Sequence, residues 1–151
     1  GPFLWGRKAR AEFTHCDLKQ QIVEGRTDAY APDWLRRRLE LRDNTLRVRD
    51  YIEQDTARSA QWFWHFHPDW QVETVEQGVW RVADGKRVCT LRLSGLPDYE
   101  AHLHRADATT KLGWYSPRFG HKIPCTTLTV QTRALPELIE SEGVLWELSA
   151  Q

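Results

Sequence analysis

An alternating pattern of apolar and charged residues runs through Leu35-Arg36-Arg37-Arg38-Leu39-Glu40-Leu41-Arg42-Asp43-Asn44-Thr45-Leu46-Arg47-Val48-Arg49-Asp50-Tyr51-Ile52. On strand periodicity, one face of the first run carries Leu35, Leu39 and Leu41, and one face of the second carries Leu46, Val48 and Ile52. The two runs are separated by Asp43-Asn44, whose side chains tolerate left-handed backbone. The stretch therefore predicts a β-hairpin with a turn of two or three residues.

The rest of the chain also carries strand signals. Asp84-Gly85, a strong turn dipeptide, lies between residues 79–82 and 87–93 and predicts a second hairpin. Further strand candidates are residues 9–16, 18–23, 59–66, 71–74, 99–104, 126–132 and 144–148. Helix is limited to a single turn at residues 135–140. Short strands separated by turns predict an all-β fold, an antiparallel two-sheet β-sandwich with little helix, formed as one domain over residues 1–151.

Aromatic residues concentrate in residues 59–67. Alternation places Trp62, Trp64 and Phe66 on one face of this strand, and Phe63, His65 and His67 on the other. Because both faces carry aromatic rings, the pattern predicts a central strand that ends at Pro68 and fills the core of the sandwich.

Composition excludes several classes of partner. Lys plus Arg and Asp plus Glu both number 21, so no overall field attracts nucleic acid, an anionic membrane or a polyanion such as heparin, and any anion binding must be local. No run is long enough to span a membrane, and no signal peptide is recognisable. The absence of Met indicates a processed product or an excised piece. The spacing of Cys16, Cys89 and Cys125 favours free buried thiols, with one bridge and one free thiol as the alternative.

The candidate binding segment is Gly113-Trp114-Tyr115-Ser116-Pro117-Arg118-Phe119-Gly120. It is too irregular for a core strand, and functional residues concentrate in loops. Trp114, Tyr115 and Arg118 offer planar surfaces to a sugar ring and a guanidinium to its carboxylate. In the structural alternative, Trp114 and Phe119 close one end of the sandwich, and Arg118 pairs with a nearby acid.

A family resemblance rests on three segments: residues 113–122, residues 39–52 and Trp64-His65-Phe66-His67-Pro68. Together they resemble the C-terminal β-sandwich of heparinase II/III-like polysaccharide lyases, over roughly residues 3–134. The resemblance implies a supersandwich-like fold, an upstream catalytic region containing a helical toroid, and β-elimination of uronate-containing polysaccharides such as glycosaminoglycan or alginate. It favours a periplasmic or secreted location.

The resemblance transfers no catalytic residue, metal ligand or cofactor to this chain, because the family's catalytic and metal-binding motifs lie upstream of it. We therefore expect the chain alone to be inactive. Its expected partners are the upstream catalytic region and an acidic polysaccharide, with Trp114, Tyr115, Arg118 and His121 as substrate-binding residues. A stand-alone carbohydrate-binding module and a sandwich without a ligand remain alternatives.

Two further groups have both structural and chemical interpretations. His65-Phe66-His67 and His102-Leu103-His104 each place two imidazoles on one strand face, a spacing found in zinc sites, and His15, His121 or Asp107 would supply a third ligand. Hydrogen-bonded strand histidines are the favoured interpretation.

Asp50 points inward in register with Val48 and Ile52, so it needs a partner; Arg118, Arg92 and a tryptophan N–H are the candidates. A catalytic acid with a raised pKa is the minority interpretation. In Arg36-Arg37-Arg38, the middle residue shares a face with Leu35 and Leu39, and the run is typical of a solvated strand face. An anionic glycan groove is the alternative.

Overall fold

The computed structural model describes residues 8–53, 59–133 and 143–151. Every regular element within these residues is a strand: β1 (Ala11–Asp17), β2 (Ile22–Tyr30), β3 (Asp33–Arg42), β4 (Thr45–Glu53), β5 (Ala60–His65), β6 (Gln71–Glu76), β7 (Val79–Ala83), β8 (Val88–Ser94), β9 (Glu100–Arg105), β10 (Trp114–Arg118), β11 (His121–Pro124), β12 (Thr126–Thr132) and β13 (Val144–Ala150). None of the described residues belongs to a helix capable of crossing a membrane. The helical turn predicted at residues 135–140 lies outside the described residues.

The strands form two sheets and a ribbon. The large sheet has eight antiparallel strands in the order β1-β2-β3-β4-β13-β8-β7-β6, and the small sheet has the order β5-β12-β9. β10 and β11 pair as a separate ribbon. Apolar side chains from both sheets meet in one core: Val48, Trp80, Val82, Leu91, Val144 and Trp146 from the large sheet, and Trp62, Leu128 and Val130 from the small sheet. The predicted two-sheet β-sandwich is confirmed.

β13 has a special position in the large sheet. It pairs with β4 on one side and with β8 on the other, so the last strand in the chain lies in the middle of the sheet. Its Trp146 is 1% exposed and its ring centroid lies 5.3 Å from that of Trp64 and 6.2 Å from that of Trp80. These indoles pack the centre of the core and join the two sheets.

Both predicted hairpins are confirmed. β3 and β4 pair from Trp34 with Glu53 to Arg42 with Thr45, and the intervening Asp43 and Asn44 have φ of 48° and 59°. Their short polar side chains adopt this left-handed backbone more readily than most residues. β7 and β8 pair across the Asp84-Gly85 turn in the same antiparallel manner.

The Asp84 carboxylate holds the second turn together and makes it sensitive to acid. Hydrogen bonds from the backbone N–H and the side chain of Arg87 lower its pKa from 3.8 to about 2. Because the pKa of Asp84 is lower in the folded than in the unfolded protein, its ionised carboxylate stabilises the fold above roughly pH 4. This stabilisation is lost as the pH falls through about 2.

We expect the Asp84 carboxyl carbon to titrate by NMR with a midpoint near 2 in the folded protein. A midpoint at the ordinary value would contradict the hydrogen-bonded turn, and Asp84→Asn should flatten the acid limb of the stability curve.

The predicted strand at residues 18–23 is wrong in its boundaries. The Asp17 carboxylate accepts hydrogen bonds from the backbone N–H groups of Lys19 and Gln20, and Gln21 has a φ of 55°. These bonds form a tight turn, so β2 begins only at Ile22.

The central position predicted for the aromatic strand is also wrong. β5 is an edge strand of the small sheet, paired within the described residues with β12 alone. Trp62 is 6% exposed and faces the core, whereas Phe63 is 47% exposed on the opposite face. The rings on that opposite face therefore lie on the surface of the sandwich.

The three cysteines are free thiols. Cys125 is buried and Cys89 is half-buried, and burial raises the pKa of the Cys125 thiol. Cys16 is exposed on β1, so the predicted burial is wrong for this residue.

Candidate functional site

The segment predicted as a binding loop forms the ribbon of β10 and β11. Trp114 pairs with Pro124 and Tyr115 with Ile123, and the register then shifts before Arg118 pairs with His121. Neighbouring residues on a strand point to opposite faces, so Trp114 and Tyr115 do not form one platform. The Nζ atom of Lys122 lies 4.0 Å from the Trp114 ring centroid, whereas the Tyr115 and His67 ring centroids are 5.7 Å apart.

The tip of the ribbon is fully open to solvent. Phe119 is 105% exposed and follows the pair of Arg118 with His121. The Ser116 hydroxyl donates toward the carbonyl oxygens of Arg118 and His121, at 3.0 and 2.9 Å, and holds the two chains of the tip together. In the described residues Arg118 makes no ion pair, so its guanidinium is available to an anion. The exposure of Phe119 contradicts its role as a lid in the structural alternative.

Gly113 fixes the ribbon to the small sheet. Its carbonyl oxygen accepts the N–H groups of Ala106 and Cys125, both at 2.9 Å, and its N–H donates to the Thr127 hydroxyl at 3.2 Å. It has a φ of 79°, and a Cβ here would lie 2.6 Å from Ala106 N and Arg105 Cα. Only glycine allows this close approach of two backbones.

The outer face of the small sheet carries rings over buried hydroxyls. On the central strand β12, Thr127 and Thr129 are 0% and 3% exposed although they point away from the core. Thr127 pairs with His65 and His104, and Thr129 with Phe63 and His102. Since threonine is short, the flanking rings cover it. We call these rings, together with His67 two residues after β5, the ring platform.

A hydrogen-bond network at the ring platform connects a carboxylate, an imidazole and a hydroxyl. Asp107 Oδ2 lies 3.2 Å from His104 Nδ1, and His104 Nε2 lies 3.0 Å from Thr129 Oγ1. Hydrogen bonds from the Thr110 hydroxyl and from His104 keep the pKa of Asp107 well below its ordinary value. This order occurs in nucleophilic triads, but Thr129 is 3% exposed and out of reach of a substrate. These hydrogen bonds fix the orientation of the His104 ring.

The same contacts bear on the zinc interpretation of the His-x-His pairs. Both ring nitrogens of His104 have partners, and His65 Nδ1 lies 3.0 Å from the Thr127 hydroxyl. Among the described residues, no group of three or more His, Cys, Asp or Glu side chains is arranged to hold a metal ion. The geometry therefore agrees with hydrogen-bonded strand histidines.

Asp50 has the partner that its burial requires. It is 0% exposed, and its carboxylate accepts from Arg37 Nε at 2.6 Å, Arg37 Nη2 at 2.8 Å and Trp62 Nε1 at 3.0 Å. The predicted tryptophan N–H is confirmed, whereas Arg118 and Arg92 are wrong as partners. Arg37 could have been found from the sequence, because equal counts outward from the Asp43-Asn44 turn reach Arg37 and Asp50. The bond to Asp50 raises the pKa of Arg37.

An open groove of about 1060 Å³ lies over β1, β2 and β3, beyond the edge of the small sheet. Apolar side chains dominate it, among them Phe13, Val23, Leu35 and Leu39. Phe13 is 80% and Leu39 is 37% exposed. β5 forms one wall of this groove, which we call the β1–β3 groove.

These features define the chain as an antiparallel β-sandwich with an aromatic ribbon, a ring platform and an apolar groove that the described residues leave open. Residues 1–145 match the family model described as heparinase II/III-like, C-terminal. The chain therefore belongs to the heparinase II/III-like C-terminal family. No curated protein matches the sequence.

Proposed function

We propose that this chain is the non-catalytic C-terminal β-sandwich of a polysaccharide lyase that cleaves uronate-containing polysaccharide by β-elimination. It supports an upstream catalytic region and lines part of the glycan cleft with the ribbon. The observation that carries the proposal is the family match over residues 1–145. Trp114, Tyr115, Arg118 and His121 are the proposed substrate contacts.

The proposed separation of substrate binding in this chain from proton transfer in the upstream region follows from the chemistry of β-elimination. β-Elimination at a uronate needs a group that neutralises the carboxylate, a base for the C5 proton and an acid for the departing oxygen. The exposed Arg118 and His121 suit recognition of a carboxylate, because a guanidinium can bind it through two parallel hydrogen bonds. We assign the proton transfers to the upstream region, so the chain alone is inactive.

The β1–β3 groove is the proposed contact with that upstream region. An exposed apolar surface rimmed by polar groups is typical of protein docking. The wall of the groove is an edge strand whose outer backbone groups are unpaired within the described part of the chain. An extended segment of the upstream region that adds to β5 would satisfy these groups and cover Phe13 and Leu39.

This proposal is tested by producing the 151-residue chain and the upstream region of its reading frame as separate polypeptides. We expect unsaturated uronate absorbance from acidic polysaccharide with the upstream region present, and none from the chain alone. Phe13→Asp should weaken association of the two parts at least about tenfold, because a buried Phe contributes roughly 1.5–3 kcal/mol and a buried charge adds a penalty.

The matched control is Leu18→Asp, which changes an equally exposed apolar residue that lies outside the groove. This variant should associate like the unaltered chain. Elimination by the chain alone would contradict the proposed function, and equal effects of the two variants would contradict docking at the groove.

A further inference from the structure

The ring platform differs chemically from the β1–β3 groove. Its exposed members are Phe63, His65, His67 and His102, which combine apolar ring faces with N–H donors. The groove, which Phe63 also borders from β5, exposes mainly apolar surface. Ring faces with nearby donors suit a sugar, whose C–H face packs on a ring while its hydroxyls form hydrogen bonds. The platform is therefore matched to glycan, and the groove to protein.

The rings follow one line along β5. The Phe63 and His65 rings are 6.2 Å apart with planes only 6° from parallel, and the line continues through the contact of His67 with Tyr115 on the ribbon. Successive rings of similar orientation can meet successive sugars of an extended chain. A ligand on this line reaches Tyr115, one of the proposed substrate contacts.

Charges around the platform favour an anionic ligand at the ribbon end. Arg118 makes no ion pair in the described residues, and Lys111 and His121 are also exposed there. The carboxylates nearby have partners: Asp69 Oδ2 lies 3.4 Å from His67 Nδ1, Glu100 lies 3.3 Å from Arg133, and Asp107 accepts hydrogen bonds from His104, Thr109 and Thr110. An incoming uronate therefore meets unpaired donors more often than free carboxylates.

We propose that the ring platform is a glycan-binding surface for an extended uronate-containing polysaccharide, continuous with the ribbon through His67 and Tyr115. The inference rests on the proposed function and extends it, because it adds Phe63, His65 and His102 to the substrate contacts. These residues bind and orient the polysaccharide and take no part in proton transfer.

The test measures binding of the 151-residue chain to polygalacturonate, alginate and heparin by affinity electrophoresis, with dextran as the neutral probe. We expect retardation by at least one of the three uronate polymers and none by dextran. The double variant Phe63→Ala/His65→Ala should weaken binding about tenfold or more, because it removes two neighbouring ring faces on which sugars would pack. Both substituted residues are exposed, but the variant also loses the contact of His65 with the buried Thr127 hydroxyl, so its melting temperature is measured to verify that it is folded under the binding conditions.

A suitable control is His15→Ala/Leu18→Ala, which removes an exposed His and an exposed apolar residue that lie outside both the ring platform and the β1–β3 groove. This control should bind within about twofold of the unaltered chain. An equal loss in both double variants overturns the inference. It is also overturned if Tyr115→Ala/Arg118→Ala weakens binding and the β5 variant does not, in which case the proposed function stands.

Two other results overturn it as well. If the chain binds none of the three uronate polymers, neither the platform nor the ribbon is a glycan-binding surface. Unchanged glycan binding by the β5 variant, together with lost association to the upstream region, would assign the platform to a protein contact.

Discussion

Replacement of Asp50 by alanine should lower the free energy of unfolding by about 3 kcal/mol, near the lower end of the range for breaking a buried ion pair. The change leaves the Trp62 N–H buried without its acceptor and removes the two bonds to Arg37. The Arg37 side chain is 51% exposed and can rehydrate, which keeps the loss from being larger. For a chain of this size the melting temperature should fall by roughly 6–12 °C, measured by thermal and urea unfolding.

A suitable comparison is Glu147→Ala, which breaks the ion pair between Arg47 and Glu147 where both side chains are partly exposed, at 43% and 31%. That loss should be at most about 1 kcal/mol. Asp50→Asn should fall between the two, because the amide oxygen still accepts from Trp62. If Asp50→Ala costs no more than Glu147→Ala, Asp50 is not the buried acceptor described above.

Gly113→Ala is the second change with a large expected effect, about 3 kcal/mol or more. A left-handed backbone costs a non-glycine residue roughly 1–2 kcal/mol, and overpacking adds roughly 1–3 kcal/mol. The added Cβ would press on backbone atoms of Arg105 and Ala106 rather than on a flexible side chain. We expect the ribbon to separate from the small sheet, seen as faster hydrogen exchange at the Ala106 and Cys125 amides.

Gly120→Ala is the internal control for that experiment. Gly120 has a similar φ of 71°, but nothing lies within 4 Å of an added Cβ. It should therefore cost only the backbone strain, about 1 kcal/mol. Equal destabilisation by the two substitutions would mean that close backbone contact at Gly113 is not important.

Local signals were sufficient for much of the fold. The turn residues Asp43-Asn44 and Asp84-Gly85 position two hairpins, and period-two alternation identifies most of the strands. The identity of Arg37 as the partner of Asp50 was also within reach, since the hairpin register determines it. These features depend on neighbours close in sequence.

Features that depend on distant pairings were not predictable in the same way. β5 pairs with β12, more than sixty residues later, as in His65 with Thr127. Nothing local distinguishes an edge strand with surface rings from a central strand with buried rings, so Phe63 and His65 were assigned to the interior. The ring platform and the β1–β3 groove both follow from strand order, which alternation does not encode.

The candidate site was found only in part. The sequence predicts a binding segment around Trp114, and strand pairing places Trp114 and Tyr115 on opposite sides of the ribbon. The four predicted substrate contacts therefore stay a prediction, and the structure places the Tyr115 ring beside His67, just after β5.

The middle position of β13 has a consequence for biosynthesis. The strands β1–β4 and β6–β8 are synthesised first, yet among the described strands of the large sheet only β13 connects the two groups. Until residues 144–150 have left the ribosome, β4 and β8 each expose an unpaired edge, and such edges favour aggregation. We therefore expect the nascent chain to be most prone to aggregation before β13 is available to pair with both edges.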